Sequence, residues 1–79
     1  MARQKLKDYF QQTVFESLLE TLPPLVPRKD LPKYLGSLIS IGHMANLDSA
    51  GLGPQSIKIG GRVVYTRESL VQWLEARSQ

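Results

Sequence analysis

The chain has 79 residues, which is enough for one small domain, and its net charge at pH 7 is +3. Hydrophobic residues make up 42% and charged residues 22%, as is ordinary for a folded chain. With one histidine and no cysteine, the sequence excludes a disulfide framework and a thiolate zinc site. No apolar run approaches the roughly 20 residues of a membrane span, and none follows the basic N-terminus as a secretory signal requires.

The excess positive charge lies in the C-terminal part of the chain. Residues 23–79 hold seven basic and four acidic side chains, whereas the charges of residues 1–22 sum to zero. A basic excess suits a polyanion partner. A net charge of this size is also common on the solvated surfaces of soluble domains, so charge alone does not identify the partner.

Residues 1–22 are predicted to form an amphipathic helix. Apolar residues recur at every fourth position, and neither Gly nor Pro interrupts residues 3–21. The stripe consists of Leu6, Phe10, Val14, Leu18 and Leu22. Either the body of the domain covers it, or a second copy of the chain or a recombination protein does. The buried area that a small domain needs favours the first alternative.

Residues 23–27 are predicted to be a stiff connector, because three prolines remove backbone donors and favour extended geometry. The remaining domain is predicted to span residues 28–79. It opens with a short helix that begins near Asp30, a candidate cap, since Pro32 is tolerated only in the first turn. Gly36 is predicted to end this helix in a left-handed conformation.

A second helix is predicted from Ile41 to about Ala50, with Ser40 as its N-cap. The 3.6-residue period divides it into two faces. The residues that can face inward are Ile41, Met44, Ala45 and Leu47. The outward face is small and polar and consists of Gly42, His43, Asn46, Ser49 and Ala50.

A β-hairpin is predicted around Gly60-Gly61, a two-residue turn that requires positive φ. A two-residue loop sets Ile59 opposite Arg62 and Ile57 opposite Val64. The register predicts a buried face of Ile57, Ile59 and Val64, and an opposite face of Lys58, Val63 and Tyr65.

The last helix is predicted to run from Arg67 to about Arg77, capped by Thr66. Its inward stripe consists of Leu70, Trp73 and Leu74. We expect Trp73 to anchor the core rather than to stack on a base, because its neighbours on that face are apolar.

Two short helices followed by a basic hairpin and a helix predict an α+β, mostly α, winged helix-turn-helix with a two-stranded wing and an extra N-terminal helix. Residues 26–77 also resemble a known family, the small excisionase-like, AlpA-like helix-turn-helix proteins of prophages and integrative elements. These proteins are similar in fold to the winged-helix heads of the MerR type. The fragments that carry the resemblance are RKDLPKYLG, ISIGHMANLDSAGLGP and IKIGGRVVYTRESLVQWLEAR.

The resemblance implies a sequence-specific DNA-binding protein, acting as an excisionase or as a transcriptional regulator. It implies that the second helix enters the major groove and that the hairpin tip reaches the backbone or the minor groove. The sequence departs from the family in two respects: no Arg or Lys lies between Lys33 and Lys58, and Pro32 interrupts a position that usually favours helix.

The predicted contacts follow from side-chain chemistry. Basic groups pair with phosphates, and the amide of Asn46 suits bidentate bonding to adenine. His43 either contacts a base edge or a phosphate, or is exposed without a role, and Tyr65 either bonds a phosphate or covers the hairpin. The predicted DNA-binding set is Arg28, Lys29, Lys33, Ser40, Gly42, His43, Asn46, Ser49, Lys58, Gly60, Gly61, Arg62, Tyr65 and Arg67.

We expect double-stranded DNA as the partner, with an integrase or recombinase, or a second copy bound through the N-terminal helix, as a further possibility. We expect no cofactor, no membrane association and a cytoplasmic location. An alternative is a protein-interaction adaptor on a winged-helix scaffold. An enzyme is disfavoured, because no acidic residue is placed to orient His43 and Gly51-Leu52-Gly53 lacks the lysine of a phosphate loop.

Overall fold

Four α-helices and a three-stranded sheet make up the computed structural model, which describes residues 2–78. The α+β, mostly helical prediction is confirmed. The helices are α1 (Ala2–Thr21), α2 (Leu31–Leu35), α3 (Ile41–Ser49) and α4 (Arg67–Arg77), and a 3₁₀ turn at Arg28–Asp30 precedes α2. The strands are β1 (Leu25–Pro27), β2 (Ser56–Ile59) and β3 (Arg62–Thr66).

The sheet is antiparallel with strand order β1-β3-β2, so the predicted hairpin belongs to a three-stranded sheet and a wing of only two strands is not confirmed. The third strand, β1, lies within the predicted connector at 23–27. Val26 lies opposite Tyr65, and Pro27 lies opposite Val64. The extended geometry that the prolines favour is also that of a strand, and an edge strand tolerates the missing N–H of Pro27.

The hairpin register is confirmed, because Ile57 lies opposite Val64 and Ile59 opposite Arg62. Gly60 and Gly61 have φ of 58° and 80°, as a two-residue turn requires.

The predicted buried face of the hairpin is wrong for its two isoleucines. Ile57 and Ile59 are 53% and 49% exposed, although Val64 on the same face is buried. The core lies instead on the side of Tyr65, where β1 adds Val26, and both residues are fully buried. The face of the sheet that the domain covers is therefore the one that holds Tyr65 and Val26.

The predicted caps of α3 and α4 are confirmed. Ser40 Oγ accepts a hydrogen bond from the N–H of His43, and Thr66 Oγ1 accepts one from Ser69, both at 3.0 Å. Gly36 ends α2 with a φ of 61°. Asp30 occupies the predicted N-cap position of α2, but its side chain makes no cap hydrogen bond.

The apolar residues in the C-terminal half of α1 pack on the body of the domain. Leu22 is buried, and Phe15, Leu18 and Leu19 are partly buried against the core. The helix runs antiparallel to α4, since Leu22 accepts a hydrogen bond from Arg67 at one end and Phe15 shares a small cleft with Ser78 at the other.

The N-terminal half of the apolar stripe faces solvent, with Leu6 and Phe10 at 69% and 68% exposure, and Tyr9 beside them is 71% exposed. A step of four residues rotates about 40° beyond a full turn, so Leu6 lies about 160° around the helix from Leu22. One neighbour cannot cover a stripe that winds this far. The predicted packing of the stripe against the body of the domain is therefore confirmed for the C-terminal half of α1.

Candidate nucleic-acid interface

A basic cleft of about 340 Å³ separates the start of α3 from the tip of the hairpin. Ile41, the first residue of α3, lines it together with Gly61 and Arg62 of the tip. Lys29, from the 3₁₀ turn, lies in the same cleft. Ile41 is 40% exposed here, so its predicted inward orientation is wrong. The start of α3 and the hairpin tip therefore lie on the same side of the molecule.

A second cleft of about 340 Å³ continues the first toward the end of α3. Arg28 and Val63 line both clefts, and Ser49 and Lys58 lie in the second. We call the two together the trough. It follows α3 from Ile41 to Ser49, a distance of about 12 Å. Three of its cations, those of Lys29, Lys58 and Arg62, belong to exposed residues.

Asp48 lies in the wall of the trough and binds two other elements. Its Oδ2 accepts hydrogen bonds from Arg28 Nη1 at 3.0 Å and from the Tyr65 hydroxyl at 2.5 Å. Burial, and then the hydrogen bond to Asp48, raise the pKa of Tyr65 above its usual value, so the phenol keeps its proton and donates it. The carboxylate thereby joins the 3₁₀ turn, α3 and β3.

This arrangement corrects two predicted contacts. Tyr65 is fully buried and cannot reach a phosphate, so its place in the predicted set is wrong. Arg28 is committed to Asp48 and its side chain is only 26% exposed, so it shapes the trough rather than offering a free cation. Sequence reasoning gave Asp48 no role, because its partners come from two distant segments and no spacing signals the contact.

Arg67 and Lys33 lie outside the trough. Arg67 is at the opposite end of β3 from Arg62, about 16 Å away by strand geometry. It pairs with Glu68 at 3.0 Å, a hydrogen bond that lowers the pKa of that carboxyl. Lys33 lies on α2 with its ammonium 5.5 Å from the centre of the Tyr34 ring. Neither residue joins the other predicted cations.

The exposed face of α3 is confirmed, since Gly42, Asn46, Ser49 and Ala50 all face solvent. Ser40 is also exposed, but its Oγ accepts the cap bond. His43 is exposed on the other flank of α3, where it lines an apolar groove with Leu38 and Trp73. The structure therefore brings Ser49 together with the hairpin and places His43 away from it.

Within residues 2–78, no three histidine or acidic side chains cluster closely enough to hold a metal ion. None of the helices in that range is both long and apolar enough to cross a membrane. Comparison of the chain with protein-family models, with curated proteins and with solved structures finds no match.

Proposed function

We propose that this chain is a small winged helix-turn-helix protein that binds double-stranded DNA in a sequence-specific manner. Helix α3 enters the major groove, and the hairpin contacts the adjacent backbone or minor groove. One observation carries the proposal: Ile41 at the start of α3 and Gly61-Arg62 at the hairpin tip line the same basic cleft. A helix and a hairpin tip set side by side are the two elements that such proteins present to a duplex.

The trough supplies the phosphate contacts. Lys29, Lys58 and Arg62 are its exposed cations. Arg62 follows two glycines that add no side chain to the tip, so the guanidinium can approach the backbone closely. Asp48, the acidic residue among those lining the trough, is bound by Arg28 and Tyr65 and does not repel a phosphate as a free carboxylate would.

The exposed face of α3 supplies the base contacts. Asn46 can donate to and accept from adenine in a bidentate pair, and Ser49 can bond to several base edges. Gly42 and Ala50 are small enough to let the helix lie deep in the groove. In this arrangement the exposed face of α3, which carries no Lys, Arg, Asp or Glu, reads the sequence, and the cations of the trough give most of the affinity.

The sequence resemblance to excisionase-like proteins supports a role among the DNA-binding proteins of prophages and integrative elements. Two roles follow from the same chemistry, namely assembly of attachment-site DNA for excision and control of a promoter. Both act on the duplex in the cytoplasm, and both use the contacts assigned above.

A matched pair of lysines tests the proposal. Lys29 and Lys33 are both exposed and lie four residues apart, but only Lys29 lines the trough. With duplexes selected from a random pool, Lys29→Ala and Arg62→Ala should each weaken binding roughly fivefold at 150 mM salt, as loss of one phosphate contact predicts. Lys33→Ala should bind as the unchanged protein does. Equal losses for the two lysines would contradict the assignment of the trough.

The adaptor alternative is favoured by one observation, the exposed stripe on the N-terminal half of α1. Deletion of residues 1–22 is a poor test of it, because Leu22 is buried in the core and Leu18 packs against it. Point substitutions at exposed positions of α1 keep the fold and separate the two functions. An intact chain that shows no salt-sensitive binding to any duplex would favour the adaptor.

A further inference from the structure

The N-terminal half of α1 presents an apolar patch that the domain leaves uncovered. Leu6, Tyr9 and Phe10 are each about 70% exposed, and Val14 one turn further is 39% exposed. Two aromatic rings and a leucine in one patch make a surface that a partner commonly covers.

An apolar groove of about 430 Å³ begins where this patch ends. Val14 and Leu18 of α1 form one wall, and Leu38, Trp73 and Leu74 contribute most of the rest. His43 and Arg77 also line the groove, and the Arg77 guanidinium lies 4.7 Å from the centre of the Trp73 ring. Leu38 is 70% exposed at its rim. Val14 belongs to both features, so each chain carries a protruding patch and a receiving groove joined at one residue.

We propose that a second copy of this chain fills the groove, as a two-fold symmetric dimer whose axis passes near Val14. A two-fold interface requires a surface that is complementary to itself, and a patch adjoining a groove meets that requirement. An axis at Val14 sets each residue before it against the residue equally far after it. Phe10 of one copy then meets Leu18 of the other, at the wall of the groove.

Helix geometry supports this arrangement. Leu6, Phe10, Val14 and Leu18 form a row at four-residue spacing, and interleaving two such rows is the commonest way that helices pack, at a crossing angle near 50°. The crossing directs the patch of each copy past the partner's Leu18 and into the groove behind it.

The exposed area is sufficient for a small specific interface. Two aromatic side chains and a leucine at this exposure present roughly 400 Å² of mostly apolar surface. The two patches of a dimer and the groove walls that receive them together bury roughly 1,000 Å², about the least that a specific interface buries. None of the described residues lines both the groove and the trough, so the dimer leaves the trough free and covers His43 of the predicted DNA-binding set.

Sedimentation velocity over a concentration series, without DNA, measures the dimer directly. Phe10→Glu in the patch and Leu38→Glu in the groove should each weaken dimerisation at least tenfold, since each buries a charge in an apolar contact. Leu52→Glu is the matched control, because Leu52 is 62% exposed but lies in neither feature, and it should dimerise as the unchanged chain does. All three side chains face solvent in the single chain, so the variants are expected to fold, which circular dichroism verifies.

Disulfide cross-linking tests the position of the two-fold axis, because the chain contains no cysteine that would compete with an introduced one. Val14→Cys should form a disulfide with its own copy under mild oxidation. Tyr9→Cys should not, since an axis at Val14 separates the two Tyr9 positions by about 15 Å along the helices, beyond the reach of a disulfide. A chain that stays monomeric at every concentration, or a dimer that Phe10→Glu leaves intact, would overturn the proposal. Equal cross-linking of the two cysteine variants would overturn the axis.

Discussion

Tyr65 in β3 donates its hydroxyl proton to Asp48 in α3 across 2.5 Å, and this hydrogen bond fixes the hairpin to the proposed recognition helix. The same carboxylate oxygen accepts from Arg28. The other oxygen, Oδ1, is buried without a hydrogen-bond partner among the described residues and lies against Gly53. Asp48 is therefore held by contacts from three segments, and the spacing between α3 and the hairpin depends on it.

Gly53→Ala should destabilise the protein, because a β-carbon at this position would overlap Asp48 Oδ1. We expect a loss of about 1–3 kcal/mol in the free energy of unfolding, as overpacking produces. Gly42→Ala is the control: it lies inside α3 with open space around it and should stabilise by about 0.5–1 kcal/mol. Urea unfolding measures both, and equal effects would contradict the close contact at Gly53.

The raised pKa of Tyr65 predicts a loss of stability at high pH. Below pH 10 the phenol is protonated in both states and contributes no pH dependence. Above pH 10 it ionises in the unfolded chain but keeps its proton in the folded protein, so the free energy of unfolding falls, by at most about 1.4 kcal/mol per pH unit.

Tyr65→Phe should lower stability at neutral pH by about 1–3 kcal/mol, because Asp48 loses a buried donor. It should also make the decline above pH 10 shallower than in the unchanged chain. Urea unfolding at a series of pH values tests both effects. Parallel declines would show that Tyr65 is not the titrating group.

Asn46→Ala should act on sequence preference rather than on overall affinity. Its amide faces solvent on α3, where a bidentate pair with adenine is worth about 1–3 kcal/mol of discrimination. We expect the variant to lose most of the preference for selected over scrambled duplexes while its binding to scrambled duplexes is unchanged. Fluorescence anisotropy on the two duplexes measures this, and a preserved preference would remove Asn46 as the base reader.

Local features of this chain were predictable from the sequence. The caps at Ser40 and Thr66, the ends of α4 and the hairpin register at Gly60-Gly61 depend on residues close together in the chain, so spacing and turn chemistry reveal them.

Features set by distant segments were missed. Pairing of β1 with β3 decides which hairpin face is buried, and the contacts of Asp48 join segments 17 and 20 residues away. The apolar stripe of α1 was predicted, but the residue at which it stops contacting the core depends on where α4 ends. Neither propensity nor periodicity carries that information.

The salt dependence of duplex binding tests the central claim most directly. If three cations, those of Lys29, Lys58 and Arg62, each contact a phosphate, log K should fall with log salt concentration at a slope of about −2.7. Lys29→Ala combined with Arg62→Ala should reduce the slope to about −0.9. Lys33→Ala should leave the slope unchanged. A slope near zero for the intact chain, or one that the double substitution does not alter, would contradict DNA binding through the trough.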